Sequence, residues 1–225
     1  MRFAREAWPF VLPPAIAAAA LFVFGYPAAG AVAAVLAILL LLFFRDPGSH
    51  FEGSEDVLVA PAWGKVLRVE AAHDPAVSPE PLHRIVTFLS VFDVHLQRAP
   101  ISGRVVHSTE KPGRRVAAFR HDAGEVNAGR LTVIEAGGGD RVGVRQIVGL
   151  LARRIVCYFR TEQRVRRGET LGLIKFGSRV DLLVPQRYDV LVEAGARLRG
   201  GTTPVARVRP APTPTGDAPV GPSHE

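Results

Sequence analysis

The sequence predicts a mainly β body, antiparallel with a few short helices, preceded by a hydrophobic helical hairpin. Three observations carry that expectation. Residues Ala7 to Phe44 hold no charged side chain, whereas nearly all of the 28 Lys and Arg residues lie beyond them. From Asp46 onward the chain breaks into short runs rich in Val, Ile, Leu and Phe, each bounded by Gly, Pro or Asp, as strands joined by tight turns are. With 225 residues, 48% of them apolar, there is room for one good-sized core plus attachments, and a disordered chain is excluded.

The uncharged stretch divides into two runs, Ala7 to Tyr26 and Ala28 to Phe44, around Gly25-Tyr26-Pro27. A cleaved signal peptide does not fit, because two runs follow each other and "FFRDP" closes the second without a small-residue cleavage site. At ~1.5 Å per residue the second run reaches about 26 Å, slightly short of a ~30 Å hydrocarbon core. The first contains Pro9, Pro13 and Pro14, so its regular helix is expected to begin near Pro14. A tilted transmembrane hairpin and a hairpin dipping into one leaflet both satisfy these lengths. Both place Arg2, Arg5 and Arg45 on one side, cytoplasmic by the positive-inside bias. Two core helices of a soluble fold are the remaining, weaker reading. The expected organisation is an anchor over residues 1–45, a β-rich domain over 46–208 and a disordered Pro-rich tail over 209–225.

Net charge is +7, and without residues 1–45, which hold three basic and one acidic side chain, the remainder still carries +5. Few aromatics interleave with these cations and no nucleic-acid motif occurs, so anionic lipid is the expected partner and nucleic acid is not. Cys157 is the only cysteine, which rules out an internal disulfide; no Cys-His metal spacing exists, so no metal is expected.

Strands are expected in "VLVAPAWGKVLRVE", "HRIVTFLSVFDVHL", "GRVVHSTE", "RLTVIEA", "RVGVRQIVG", "RRIVCYFR", "TLGLIKFG", "RVDLLVP" and "YDVLVEAGARL", with a helical turn at "GLLARR". The units "VRRGETLGLI" and "VEAGARLRGGTTPVARV" look like two variants of one pattern, similar to that of the barrel-sandwich hybrids that carry biotin or lipoate. Neither copy has the lysine that such a carrier needs at the tip of its turn.

One junction has a chemical as well as a structural reading. Gly177-Ser178 interrupts the apolar segment "LIKFGSRVDLLVP". A bulge or tight bend is the ordinary explanation. In a confined bend, however, the Ser178 hydroxyl can attack the Gly177 carbonyl and replace the amide by an ester. Removal of the Ser178 α-proton then eliminates the ester, and hydration with loss of ammonia leaves a pyruvoyl group. Glycine allows the approach, and serine carries both nucleophile and leaving oxygen. A pyruvoyl ketone forms a Schiff base with an amine and acts as an electron sink for decarboxylation.

The surrounding blocks decide between the two. "RRGETLGLIKFGSRVDLLVP" resembles the processing segment of the short bacterial phosphatidylserine decarboxylases, "RQIVGLLARRIVCYFR" the stretch before it, "FLSVFDVHLQRAPISGRV" their histidine segment and "LLFFRDP" the exit of their membrane anchor. The resemblance spans about residues 8 to 206. It implies self-cleavage between Gly177 and Ser178 into a β chain, 1–177, and an α chain, 178–225, that stay associated. It further implies a pyruvoyl cofactor made from Ser178, and decarboxylation of phosphatidylserine to phosphatidylethanolamine at the cell membrane, with the catalytic body on the cytoplasmic side.

His95 is the expected acid–base residue of the decarboxylation. Arg98 is a candidate for holding the substrate carboxylate or phosphate, and Asp93, two residues from His95, for orienting it. Arg179 and Asp181 alternate after Ser178 and are expected on one face. His50, His73, His83, His107 and His121 have no identifiable partners. "VAPAWGKV" resembles a family block that usually reads Pro-Ala-Asp-Gly, whose Asp is implicated in self-cleavage. Trp63 stands at that position here and accepts no proton, so Asp93 or Asp56 is left as a substitute. The alternative reading is a non-processing, anionic-lipid-binding relative of the same fold.

Overall fold

The apolar N-terminal stretch folds into two helices, α1 (Trp8–Val23) and α2 (Pro27–Phe43), in a computed structural model that describes residues 2–150, 154–175 and 177–209. α1 begins at Trp8, not near Pro14. Pro9 sits in the first turn, where its missing N–H has no helical partner anyway, while Pro13 and Pro14 are carried inside the helix at the loss of one hydrogen bond each. Packing holds that weakened start: Ala4, Ala7 and Val11 join Phe43, Phe44, Val94, Leu96 and Leu173 in one buried cluster. The rest of the hairpin turns large apolar side chains outward, among them Ile16, Phe22, Val23, Phe24, Val32 and Leu39. By length and apolarity Arg5–Val23 is sufficient to cross a membrane; Pro27–Phe43 is shorter.

The two ends of the hairpin are tied together. β1 (Arg2–Phe3) pairs with β2 (Arg45–Asp46), with Arg2 opposite Asp46. Arg45 donates to the Leu42 carbonyl at 2.7 Å, placing a cation at the α2 C-terminus, and to the Phe92 carbonyl of the body at 2.8 Å.

The body runs through β3 (Val57–Val59), β4 (Gly64–Asp74), β5 (Ser78–Leu89), β6 (Leu96–Arg98), β7 (Gly103–Lys111), a one-turn α3 (Ala123–Val126), β8 (Gly129–Glu135) and β9 (Arg141–Val148). It continues with β10 (Ile155–Cys157), β11 (Arg164–Val165), β12 (Thr170–Ile174), β13 (Ser178–Pro185), β14 (Tyr188–Val190), β15 (Arg197–Leu198) and β16 (Pro204–Val208). An eight-stranded sheet has the order β11-β7-β8-β9-β13-β5-β4-β15, and two three-stranded sheets have the orders β10-β12-β6 and β14-β16-β3. Every pairing between these named strands is antiparallel. The mainly β fold expected from the sequence is therefore the fold observed.

Several expected strands are broken where the chain changes sheets. "HRIVTFLSVFDVHL" ends as a strand at Leu89, so His95 lies in the connection just before β6. Likewise β12 and β13 belong to different sheets, and Gly177 lies in the crossing between them. Of "GLLARR", Gly149, Leu150 and Arg154 are not helical, and 151–153 lie outside the described residues, as does most of the tail.

The topology is an internal duplication in which one copy, β6 to β12, is inserted into the other, β3 to β5 with β13 to β16. The copies exchange reciprocal hydrogen bonds: Val59 N–H donates to the Pro100 carbonyl at 3.0 Å and Arg98 N–H to that of Pro61 at 2.8 Å. Val66 to Ala196 in one copy is matched by Val105 to Gln163 in the other, both at 2.9 Å. Gly139-Asp140-Arg141-Val142 leads into β9 as Gly177-Ser178-Arg179-Val180 leads into β13, and both glycines have positive φ, 84° and 64°. The two similar sequence units fall on β11–β12 and β15–β16, equivalent places in this scheme. Their shared interior, including Leu58, Val66, Ile85, Val105, Ile134, Val144, Val180 and Leu182, is buried almost completely.

Candidate active site at Gly177 and Ser178

Ser178 is the first residue of β13, the strand flanked by β5 and β9, and is paired with Leu89 on one side and Val148 on the other. It is fully buried, and its Oγ has no hydrogen-bond partner among the described residues. An unpaired buried hydroxyl is costly and calls for an explanation. Gly177 reaches this position with φ of 64°, a left-handed conformation that glycine adopts without the Cβ penalty. Its carbonyl lies so close to Gly149 that a Cβ there would stand 2.5 Å from the oxygen.

His95 closes the site from the other side. Its Nε2 accepts the Gly177 N–H at 3.3 Å, and its Nδ1 lies 2.9 Å from the Asp93 carbonyl oxygen. A carbonyl only accepts, so Nδ1 carries the proton and Nε2 is the accepting nitrogen. The imidazole is 1% exposed, and the Phe43 ring packs tilted against it with centroids 4.1 Å apart. Burial pushes its pKa down to about 4, against a smaller raising effect of Asp93; the Arg45 cation adds to the lowering. His95 is therefore a neutral acceptor at neutral pH.

The Asp93 carboxylate has another task. It accepts from the Ser90 N–H and hydroxyl, both at 2.8 Å, and so closes the turn that carries the exposed side chains of Val91 and Phe92. The atom of Asp93 that orients His95 is the main-chain oxygen. Arg98 is 4% exposed, paired with Asp46 and the Thr170 hydroxyl, and lies over the Trp63 ring at 5.6 Å. It binds the exit of the hairpin to the body. Trp63 packs beside Gly200, where a Cβ would come within 2.5 Å of the indole. Asp56 pairs with Arg207 at 3.7 Å, against the β14-β16-β3 sheet.

Arg179 and Asp181 share a face of β13, as their spacing requires, and form a fully buried bidentate ion pair with N···O distances of 2.6 and 2.8 Å. The loop bearing α3 covers them, and the Arg120 and His121 carbonyls lie 3.4 Å from the guanidinium. Asn127 pins this loop to the end of β9 by donating to the Val116 and Val148 carbonyls. Of the other histidines, His50 pairs with Glu52 in solvent, and the His73 ring lies 3.2 Å from the Pro79 carbonyl. A separate cavity of about 590 Å³ opens at the hairpin base between Arg5, Asp46, Tyr158 and Arg160, without Ser178 or His95 in its lining.

Phe43, Gly149, Gln97 and Gln146 complete the surroundings and were not expected from the sequence. Gln97 donates to the His95 carbonyl at 2.8 Å and accepts from Gln146 at 2.8 Å. Only the position of Gln97, two residues after His95, offered a signal.

The phosphatidylserine decarboxylase family model matches residues 36–206. The chain belongs to the phosphatidylserine decarboxylase family. Among the relatives, each named phosphatidylserine decarboxylase proenzyme, that of Symbiobacterium thermophilum is 40% identical over 205 residues, 91% of this chain and 95% of its own length. That of Saccharopolyspora erythraea is 41% identical over 203 residues, 89% and 86% of the two chains, and that of Magnetococcus marinus 35% over 207, 92% and 95%. Family membership makes this chain an enzyme of the decarboxylase class.

Proposed function

We propose that this chain is a precursor that cuts itself between Gly177 and Ser178 and then decarboxylates phosphatidylserine to phosphatidylethanolamine at the membrane. The observation that carries the reading is the buried Ser178 hydroxyl, without a partner, next to a left-handed Gly177 whose N–H is held by His95. The Ser178 Oγ forms a bond to the Gly177 carbonyl carbon, the bond from that carbon to the Ser178 nitrogen breaks, and the hydroxyl proton ends on that nitrogen. Loss of the Ser178 α-proton then expels the Gly177 carboxylate, and water replaces the nitrogen, which leaves as ammonia. The residues present fit a pyruvoyl group at position 178: the β-hydroxyl needed to make it is there, and the strand behind it is fixed on both sides. When formed, that group supplies the electron sink for loss of carbon dioxide. His95 stands close enough to hold or deliver a proton there, and the new carboxylate at Gly177 raises its proton affinity.

Ser178 is sealed in the uncut chain, so the substrate is admitted only after the cut frees Gly177 from the strand that follows it. The hairpin anchors the site at the bilayer, with its Arg2, Arg5 and Arg45 end and the body on the cytoplasmic side. The exposed Val91, Phe92, Phe119 and Leu150 near the site suit contact with the lipid surface. The name proenzyme that the relatives carry supports processing.

A denaturing gel tests the reading: a fragment of residues 178–225, 48 residues long, is expected with a blocked, pyruvoyl N-terminus by mass, and Ser178→Ala abolishes it. Trp63 favours a second reading, a non-processing relative that binds anionic lipid through the same fold. A single intact band and no carbon dioxide from phosphatidylserine vesicles selects that one.

A further inference from the structure

Gln97 and Gln146 are both fully buried, and neither is explained by packing alone. Their amides form a chain whose direction is fixed. The His95 carbonyl accepts only, so Gln97 must present its NH2 to it at 2.8 Å. That leaves the Gln97 oxygen facing Gln146, which must answer with its own NH2, also at 2.8 Å. The chain thus ends on Gln146 Oε1, a buried acceptor with no partner among the described residues. Ser178 Oγ is the buried hydroxyl in the same condition.

The register brings these two ends together. Gln146 lies opposite Val180, and Val148 lies opposite Ser178, across the β9–β13 ladder. Opposite residues and residues two apart share a face, so Gln146 and Ser178 are diagonal neighbours on the same side of the sheet, within reach of a long side chain. An unpaired donor beside an unpaired acceptor in a dry interior has a strong incentive to meet.

We propose that Gln97 and Gln146 are positioning residues of the Gly177–Ser178 site. Their amide chain fixes the His95 main chain, and its free end, Gln146 Oε1, takes the Ser178 hydroxyl hydrogen bond and aims the oxygen lone pair at the Gly177 carbonyl. An amide oxygen is too weak a base to keep the proton, which passes to the Ser178 nitrogen as the peptide bond breaks. The inference rests on the self-cleavage reading for its hydroxyl half, while the His95 half stands without it.

The two halves are tested separately. In Ser178→Ala protein, which is not cut, the imidazole nitrogens of His95 are observed by NMR at neutral pH. A single Nδ1–H tautomer is expected, and adding Gln97→Leu mixes the tautomers; an unchanged spectrum overturns the proposal whether or not the native chain matures. In the native chain, Gln146→Leu is expected to slow release of the small fragment by roughly tenfold or more, the loss of one buried hydrogen bond. Gln146→Glu serves if that variant does not fold. Neutral Glu restores donor and acceptor, whereas the ionised carboxylate has no proton for Gln97 Oε1 and breaks the chain, so cleavage recovers toward the native rate as pH is lowered and falls as pH rises. Cleavage by Gln146→Glu at the native rate across pH, while the native chain itself is cut, overturns the proposal. An uncut native chain instead refutes the self-cleavage reading and with it the hydroxyl half, leaving the tautomer measurement to decide the rest.

Discussion

The ring of Phe43, the last residue of α2, packs tilted against the imidazole of His95, 4.1 Å between centroids, so the apolar hairpin forms one wall of the buried site. Phe43 is part of the surroundings that bury the ring, and burial lowers the His95 pKa to about 4. Phe43→Ala is expected to raise that pKa toward its ordinary 6.5 and to cost about 3 to 5 kcal/mol of stability, as large aromatic truncations in cores do. NMR titration of His95 and a thermal melt check both numbers.

Stability is expected to depend on pH through the same residue. The folded pKa is about 4 and the unfolded one 6.5, so between these values the unfolded chain binds the extra proton. The contribution of the neutral, buried ring is fully present above about pH 6.5 and is lost as pH falls toward 4, a change of order 3 kcal/mol. Denaturant melts of Ser178→Ala protein at several pH values measure the slope, and His95→Gln should flatten it.

Gly177→Ala separates strain from crowding. Nothing lies within 4 Å of an added Cβ, yet φ is 64°, where an L-residue pays about 1–2 kcal/mol. The variant is expected to fold with that loss and to release the small fragment more slowly, because the left-handed geometry at the scissile bond is no longer free. Timed gels beside a thermal melt read both effects.

Breaking the buried pair behind the site is expected to be severe. Asp181→Asn leaves Arg179 charged without its bidentate partner, at a cost of about 3–5 kcal/mol. Replacing both by apolar residues of similar volume should recover most of it, since two desolvated charges are removed together. Urea unfolding of the single and double variants decides.

The exposed turn next to the hairpin base offers a probe of the proposed membrane contact. Phe92 is 82% exposed and its carbonyl is bonded to Arg45 at the hairpin base. Phe92→Asp is expected to leave the melting temperature within about 1–2 °C, as surface changes do, and to weaken binding to vesicles containing phosphatidylserine. Co-sedimentation measures it.

What was legible in the sequence was whatever acts locally. The uncharged run from Ala7 to Phe44 declares the hairpin, and Gly177-Ser178 with "FDVHLQRAP" declares the family and the candidate site. The start of α1 was not legible, because contacts with Phe43, Phe44 and Leu173 hold a proline-rich turn that propensity alone rejects. Asp93 lies beside His95 as expected, but through its carbonyl, since a turn at Ser90 claims the carboxylate. Arg98 reads as an anion clamp in sequence and is drawn to Asp46 by a contact 52 positions away. Gln146 lies 51 residues after His95 and reaches the site through the β9–β13 ladder, which no local pattern encodes.

The insertion of one copy of the repeat inside the other has a mechanical outcome. The piece beyond residue 177 lends its first strand to the middle of the eight-stranded sheet and its last to the middle of the β14-β16-β3 sheet. Severing the chain there removes a covalent tether without loosening the weave. Two pieces cut at that point would have to be pulled out of two separate sheets at once before they part.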